Sequence, residues 1–206
     1  MQLNFSEHSA SERYHLMTQT VIPRPIAWVL TESDGSPSSF NLAPFSYFTA
    51  VSSAPALLML SVGKKPNGDP KDTLVNVLKN KKMVIHIASD QQAELVTQTA
   101  ATLAHGESEL NNTSLTTTDF AEFSLPRLSQ CDIAYACELY EIKEIGDAPQ
   151  TLIFVEVKHL YVNDKVINQT QADRIDIAAD KINPLARLGG GEYASITAPF
   201  KLNRPD

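Results

Sequence analysis

With 206 residues, 43% of them hydrophobic and 20% charged, the chain can bury a substantial core and suits a single domain over residues 1–206. Seventeen Lys and Arg against twenty-four Asp and Glu leave a net charge of −7, which argues against nucleic acid as a partner because no excess of cations faces a phosphate backbone. Two cysteines, Cys131 and Cys137, fit neither a disulfide framework nor a C-x-x-C pair nor a zinc knuckle, so a reducing compartment is expected.

Residues 1–13 are polar, carry Glu7 and Glu12, and lack the basic-then-apolar order of a secretion signal, so the expected location is cytoplasmic. Short β-branched or aromatic runs follow at 24–31, 40–48, 56–62 and 82–88, and turn-rich segments such as Glu32-Ser33-Asp34-Gly35-Ser36-Pro37 separate them. The most apolar run, 54–62, is broken by Pro55 and Ser61 and falls far short of the ~20 residues that span a bilayer; no membrane contact is expected. Leu74, Val77 and Leu78 share one stripe of a helix over 72–78, and a second helix is predicted from Asp90, as its cap, to Ala104. Residues 102–127, rich in Thr, Ser, Asn and Glu, read as a long excursion that covers something. Period-two alternation marks strands at 133–139 and 152–162, and Gly146, Asp147 and Pro149 between them supply a hairpin turn. A polar connector over 169–180 then leads to a C-terminal tail, 181–206.

Strands outnumber helices without regular β-α alternation. The fold class is therefore mainly β with a few helices, an antiparallel barrel or sandwich rather than a doubly wound parallel sheet.

Several chemistries lack their residues. The histidines His8, His15, His86, His105 and His159 include no i, i+4 pair, so no metal is expected; no G-x-S-x-G nucleophile elbow occurs. Gly63-Lys64-Lys65-Pro66-Asn67-Gly68 has the glycine spacing of a phosphate loop, but Asp69-Pro70 follows where Lys-Ser or Lys-Thr is required. Leu188-Gly189-Gly190-Gly191 is no dinucleotide fingerprint. What remains lies between 41 and 76. Asn41, Phe45, Ser46, Tyr47, Phe48 and Thr49 mix flat apolar groups with short hydrogen-bonding ones, as a planar heterocycle requires. Downstream, Pro70-Lys71-Asp72-Thr73 opens a helix, and a helix N-terminus with Lys and Thr can hold an anion. A flat ring joined to a phosphate describes FMN, although the same residues serve equally as strand, turn and cap residues, and Asp72 is assigned to capping first.

Arg24-Pro25-Ile26-Ala27-Trp28-Val29, then Asn41-Leu42-Ala43-Pro44-Phe45-Ser46-Tyr47-Phe48, then Val51-Ser52-Ser53-Ala54-Pro55, then Lys71-Asp72-Thr73 with Asn76, occur in order. Together they resemble the successive signatures of the flavin reductase-like, FMN-binding split-barrel family of flavoprotein oxidoreductases. The resemblance runs from Tyr14 to Val162, and the tail Pro184-Leu185-Ala186-Arg187-Leu188-Gly189-Gly190 with Tyr193 is similar to a closing motif of that family. It implies a split β-barrel homodimer with FMN bound non-covalently near the interface. Ser46, Tyr47, Phe48 and Thr49 would line the isoalloxazine, Ser61, Val62 and Gly63 the ribityl chain, and Lys71, Asp72 and Thr73 the phosphate. Arg24 and Asn41 would be second contacts, and Arg187 and Tyr193 would approach the flavin, from the same or the other subunit. The implied reaction is hydride transfer from NADH or NADPH to FMN, with no catalytic acid or base, electrons passing to an acceptor, and His86, His105 and His159 as candidates for nicotinamide contacts. An FMN-binding electron carrier or sensor, and a fold relative binding another anionic heterocycle, stay open.

Overall fold

The computed structural model describes residues 1–33, 39–104, 106–147, 149–171, 174–203 and 205. His105 and most of the turn expected at 32–37 lie outside them. In chain order the elements are α1 (Ala10–Thr20), β1 (Arg24–Pro25), β2 (Ala27–Glu32), β3 (Phe40–Phe45), β4 (Phe48–Ser53), β5 (Ala56–Val62), α2 (Asp72–Asn80), β6 (Lys82–Ile87), α3 (Ala93–Gln98), β7 (Thr117–Phe120), β8 (Phe123–Leu128), β9 (Ile133–Ile145) and β10 (Gln150–Val162). The tail region adds β11 (Ile167–Gln171), β12 (Arg174–Ile177), α4 (Ala179–Ile182), β13 (Ala186–Arg187) and β14 (Tyr193–Ala194).

The seven-stranded sheet has the order β3-β2-β6-β9-β10-β5-β4, and its strand pairs are antiparallel. Its two edge strands, β3 and β4, are consecutive in the chain and separated only by Ser46 and Tyr47. Three virtual bonds of 3.80 Å bring Phe45 and Phe48 within about 11 Å of each other, so the sheet curls until its edges meet at that turn. This is a split barrel, and the turn sits at the split. The run read as one strand over 40–48 is two strands, because the chain leaves the β2 side at Phe45 and joins β5 from Phe48. The Ser61 N–H donates to the Tyr47 carbonyl at 2.8 Å, extending the β4–β5 ladder into the turn.

Both faces of the central strands are covered. Ala27, Val29, Leu60, Val62, Met83, Ile85, Cys137 and Val155 fill one core, while Trp28, Leu30, Leu42, Val84, Ala134, Ala136 and Leu128 belong to a second on the other face. β2 and β6 accordingly read as continuous apolar runs, whereas β10 alternates. The second core recruits the excursion: Leu115, Phe120 and Leu125 are buried in it, and β7 and β8 form a hairpin there. Residues 102–127 therefore supply core as well as cover.

Polar side chains lock the helices to the sheet. The Trp28 indole N–H donates to Thr99 Oγ1 at 2.8 Å, and Thr99 is buried. That inward turn ends α3 well short of Ala104, and the box at its start is made by Ser89 and Gln92 rather than by Asp90. Asn76 Nδ2 donates to Thr31 Oγ1 at 3.0 Å and Asn41 Nδ2 to Thr73 Oγ1 at 3.1 Å, tying α2 to β2 and β3. Several elements carry no clear signal in the sequence, α1 and the β11–β12 pair among them. Helix α1, opened by a Ser9–Glu12 capping box, lies partly in the stretch read only as polar, and β11 pairs with β12 within the predicted connector.

Candidate functional site

Strand β3 and the turn after it feed two cavities. The smaller, about 90 Å³, is lined by Asn41 and Pro44 of β3, Lys65, the helix start Lys71-Asp72-Thr73, residues 99–103, and Glu109. The larger, about 510 Å³, is lined mostly by apolar side chains: Met17 of α1 and Val21 just after it, Pro23, Pro25, Tyr47, Phe48, Met59, Ile145 and Leu152. Arg24, Ser46, Thr49, Ser61 and Gln150 place polar atoms among them. Pro44 borders the first cavity and Ser46 the second, two residues or about 7 Å apart along the chain.

The residues read as the ring face, Ser46 to Thr49, come together with Ser61 in the larger cavity. Tyr47 is flanked by Tyr14, their ring centroids 6.2 Å apart, and burial followed by the charge of a Tyr14 phenolate holds the Tyr47 hydroxyl above its usual pKa. Tyr47 is therefore a neutral donor or acceptor at physiological pH. Val62 points into the barrel core at 1% exposure, which leaves only its backbone for a ligand. Gly63 sits at the end of β5, where a Cβ would come within 3.2 Å of the Gln150 amide.

Lys71, Asp72 and Thr73 line the smaller cavity with a division of labour the sequence does not reveal. Asp72 is not the cap: Lys71 holds the N-cap position without a side-chain hydrogen bond, and Asp72 forms an ion pair with Lys65 at 2.8 Å. The charge that opposes an anion thus positions a second lysine beside the helix N-terminus. Lys65 comes from the loop 64–70, closed by the Lys64–Pro70 bridge and by Lys65 N–H donating to the Asp69 carbonyl at 2.8 Å. Thr73 and Asn41 are buried and hydrogen-bonded to each other, so Asn41 orients the Thr73 hydroxyl.

Glu109 escaped the sequence reading. It reaches under β3, where Oε2 accepts the Leu42 N–H at 2.8 Å while Ser108 Oγ donates to the Phe40 carbonyl, so two side chains satisfy the outer edge of β3. Burial raises the Glu109 pKa, with the Leu42 N–H opposing the rise. A paired acid reaching an edge strand from 67 residues away carries no local signal.

Arg24 is buried and turns its guanidinium onto the protein's own carbonyls, so the sequence reading of a second cofactor contact is met by one remaining N–H at most. Arg187 lies 4.5 Å from the Tyr193 ring centroid, donates to the Gly190 carbonyl, and lines neither cavity. His86 is corrected outright as a nicotinamide contact. It is fully buried, with Nδ1 3.0 Å from the Trp28 carbonyl and Nε2 accepting the Leu128 N–H at 2.9 Å. Desolvation lowers its pKa to about 4. His159 stands edge-on to Phe123 at 6.4 Å and also lines neither cavity.

An antiparallel split barrel whose edge-joining turn opens on an apolar cleft, beside a lysine-bearing helix N-terminus, defines the flavin reductase-like class. The chain belongs to this family: the model of the flavin reductase like domain matches residues 17–178. It is 35% identical to the protein YwrF of Bacillus subtilis over 201 residues, 96% of this chain and 95% of that one. Among solved structures it is similar to nitrilotriacetate monooxygenase component B from Bacillus cereus, with TM-score 0.88 and 30% identity over 98% of each chain. A second is the 2-nitrobenzoate 2-nitroreductase NbaA of Pseudomonas fluorescens, with TM-score 0.86 and 25% identity over 100% of this chain and 96% of that one.

Proposed function

We propose that the chain is an FMN-binding flavoprotein that acts as an NAD(P)H-dependent flavin reductase, folded as one domain. The observation that carries this is the division of the site into an apolar cleft and a lysine-lined pocket on successive residues of one strand and turn, as a ring joined to a phosphate demands. Phe48, Met59, Leu152 and the prolines give flat apolar contact, and Ser46, Ser61, Gln150 and the backbone at the split meet the ring's polar edge. Lys65, Lys71, Thr73 and the first amides of α2 would hold the phosphate. When bound, the flavin supplies the hydride-accepting ring, and the protein positions it and excludes water.

A homodimer fits the same reading. Tyr14 and Met17 of α1 and its C-cap Val21 are exposed apolar residues at 61%, 45% and 59% exposure, and Met17 and Val21 also border the larger cavity. A second copy over these residues would shield the cleft; dilution to monomer should then release FMN.

Anaerobic titration of the FMN-loaded protein with NADH, and separately NADPH, tests the reductase reading. Bleaching of the flavin's visible band, followed by reoxidation with free FMN, is expected. Flavin that binds but resists both nicotinamides makes the protein an electron carrier; absence of flavin binding overturns both.

A further inference from the structure

Arg24 is 5% exposed, and its guanidinium reaches three segments: the adjacent end of α1, the turn at Ser46 and the C-terminal loop at Leu188. Its Nη1 donates to the Thr18 and Val21 carbonyls at the end of α1, the latter at 2.9 Å. Its Nη2 donates to the Leu188 carbonyl, 164 residues away, at 2.7 Å, and its Nε to Ser46 Oγ at 3.4 Å. Three main-chain carbonyls and the hydroxyl of the turn at the barrel split therefore share one planar cation. A guanidinium suits this because its donors diverge in a fixed fork, and a cation at a helix C-terminus complements the helix dipole.

The backbone around Arg24 makes the same connection. β1 pairs with β13 with Arg24 opposite Arg187, and β13 returns through residues 188–192 to β14. In that loop the Leu188 N–H donates to the Glu192 carbonyl at 3.0 Å and Glu192 N–H to the Gly189 carbonyl at 3.1 Å. Gly189 lies so close to α1 that a Cβ would come within 2.5 Å of Gln19 Cγ and 3.2 Å of its Cα. The glycine loop is thus seated on the helix whose last carbonyls Arg24 holds, and a cavity of about 380 Å³ between them is lined by His15, Gln19, Ile22 and residues 188–192.

We infer that Arg24 is a positioning residue that couples the C-terminal glycine loop to the flavin-facing turn, so that residues 188–192, the end of α1 and Ser46 order together. The inference rests on the flavin reading of the larger cavity for its functional consequence, but not for the coupling itself. Arg24 acts through Ser46 and the end of α1, where Met17 and the C-cap Val21 line that cavity. Loss of the guanidinium frees three carbonyls and loosens both rims of the cleft. Because the effect falls on the ring end, it touches FMN and riboflavin alike.

Hydrogen exchange of the ligand-free full chain tests the coupling. In Arg24→Ala, the segments holding residues 46–49 and 186–194 should both exchange faster while β6 keeps its protection. In flavin titrations, FMN and riboflavin affinities should fall by the same factor, about tenfold or more for lost charge-assisted bonds, with a change in the bound flavin's visible spectrum. Guanidinium ion at sub-denaturing concentration should restore part of the affinity in Arg24→Ala and none in Arg24→Lys, which keeps the charge without the fork. If Arg24→Ala does not fold, Arg24→Lys serves for exchange and titration, with the same expected direction. Unchanged exchange at 186–194, or loss of FMN affinity without loss of riboflavin affinity, overturns the inference. A wild-type protein that binds no flavin defeats the proposed function, while exchange alone still decides the coupling.

Discussion

His86 makes stability depend on pH in a way that geometry alone dictates. Its Nε2 accepts the Leu128 N–H, so the ring is neutral with its proton on Nδ1, donated to the Trp28 carbonyl. Charging the ring would break the Leu128 bond and place an ion in a site with no exposure. Burial accordingly lowers the pKa from 6.5 to about 4, helped by the positive charge of Arg127 and opposed by the Trp28 carbonyl. Since the folded pKa lies below the unfolded one, this contribution is fully present above pH 6.5, is lost progressively as pH falls, and is gone once pH has passed through 4. At 1.36 kcal/mol per pKa unit the full contribution is about 3 kcal/mol, of which about 2 kcal/mol is gone by pH 5. Urea unfolding of the wild type and of His86→Gln, at pH values from 7.5 to 5.0, isolates this effect. Gln can donate to Trp28 and accept from Leu128 without titrating, and other groups cancel between the two proteins. Stability of the wild type should fall by about 2 kcal/mol more than that of the variant across this range. Parallel pH dependences would refute both the tautomer and the burial argument.

Replacing Lys65 and Lys71 together by Ala should weaken FMN by about 1–3 kcal/mol and leave riboflavin nearly unchanged, measured by quenching of flavin fluorescence. Equal losses for the two ligands would remove the phosphate from the smaller cavity. Cys131 and Cys137 are free and buried, with the Cys131 thiol pushed up to about 12 and Cys137 raised as well, both chiefly by desolvation. Neither should react with a thiol reagent at pH 8 in the folded protein, and both should react once denaturant is added; rapid labelling of the native state would contradict their burial.

Much of the barrel was legible because its strands carry local signatures. The alternation of β10 and the Gly146 turn announced the central hairpin, and the apolar runs of β2 and β6 announced strands without saying that both faces are covered. The family signature was legible in the same way, as ordered groups of residues. Their roles were less so. Trp28, Asn41 and Asn76 belong to those groups, yet their side chains fasten helices to the sheet, and Asp72 fastens a lysine. The early end of α3 depended on Thr99 finding an indole 71 residues away, which no helical period records.

Composition, periodicity and turn residues determined the class of fold, because they report each segment's own preference for one face, one cap or one turn. Only the tertiary structure decided that the two edge strands meet at Ser46 and Tyr47, that Glu109 lies beneath β3, and that Arg24 gathers carbonyls from both ends of the chain. Those facts depend on pairs brought together by closure of the sheet. A hydrogen bond across 164 residues leaves no periodic trace in either partner.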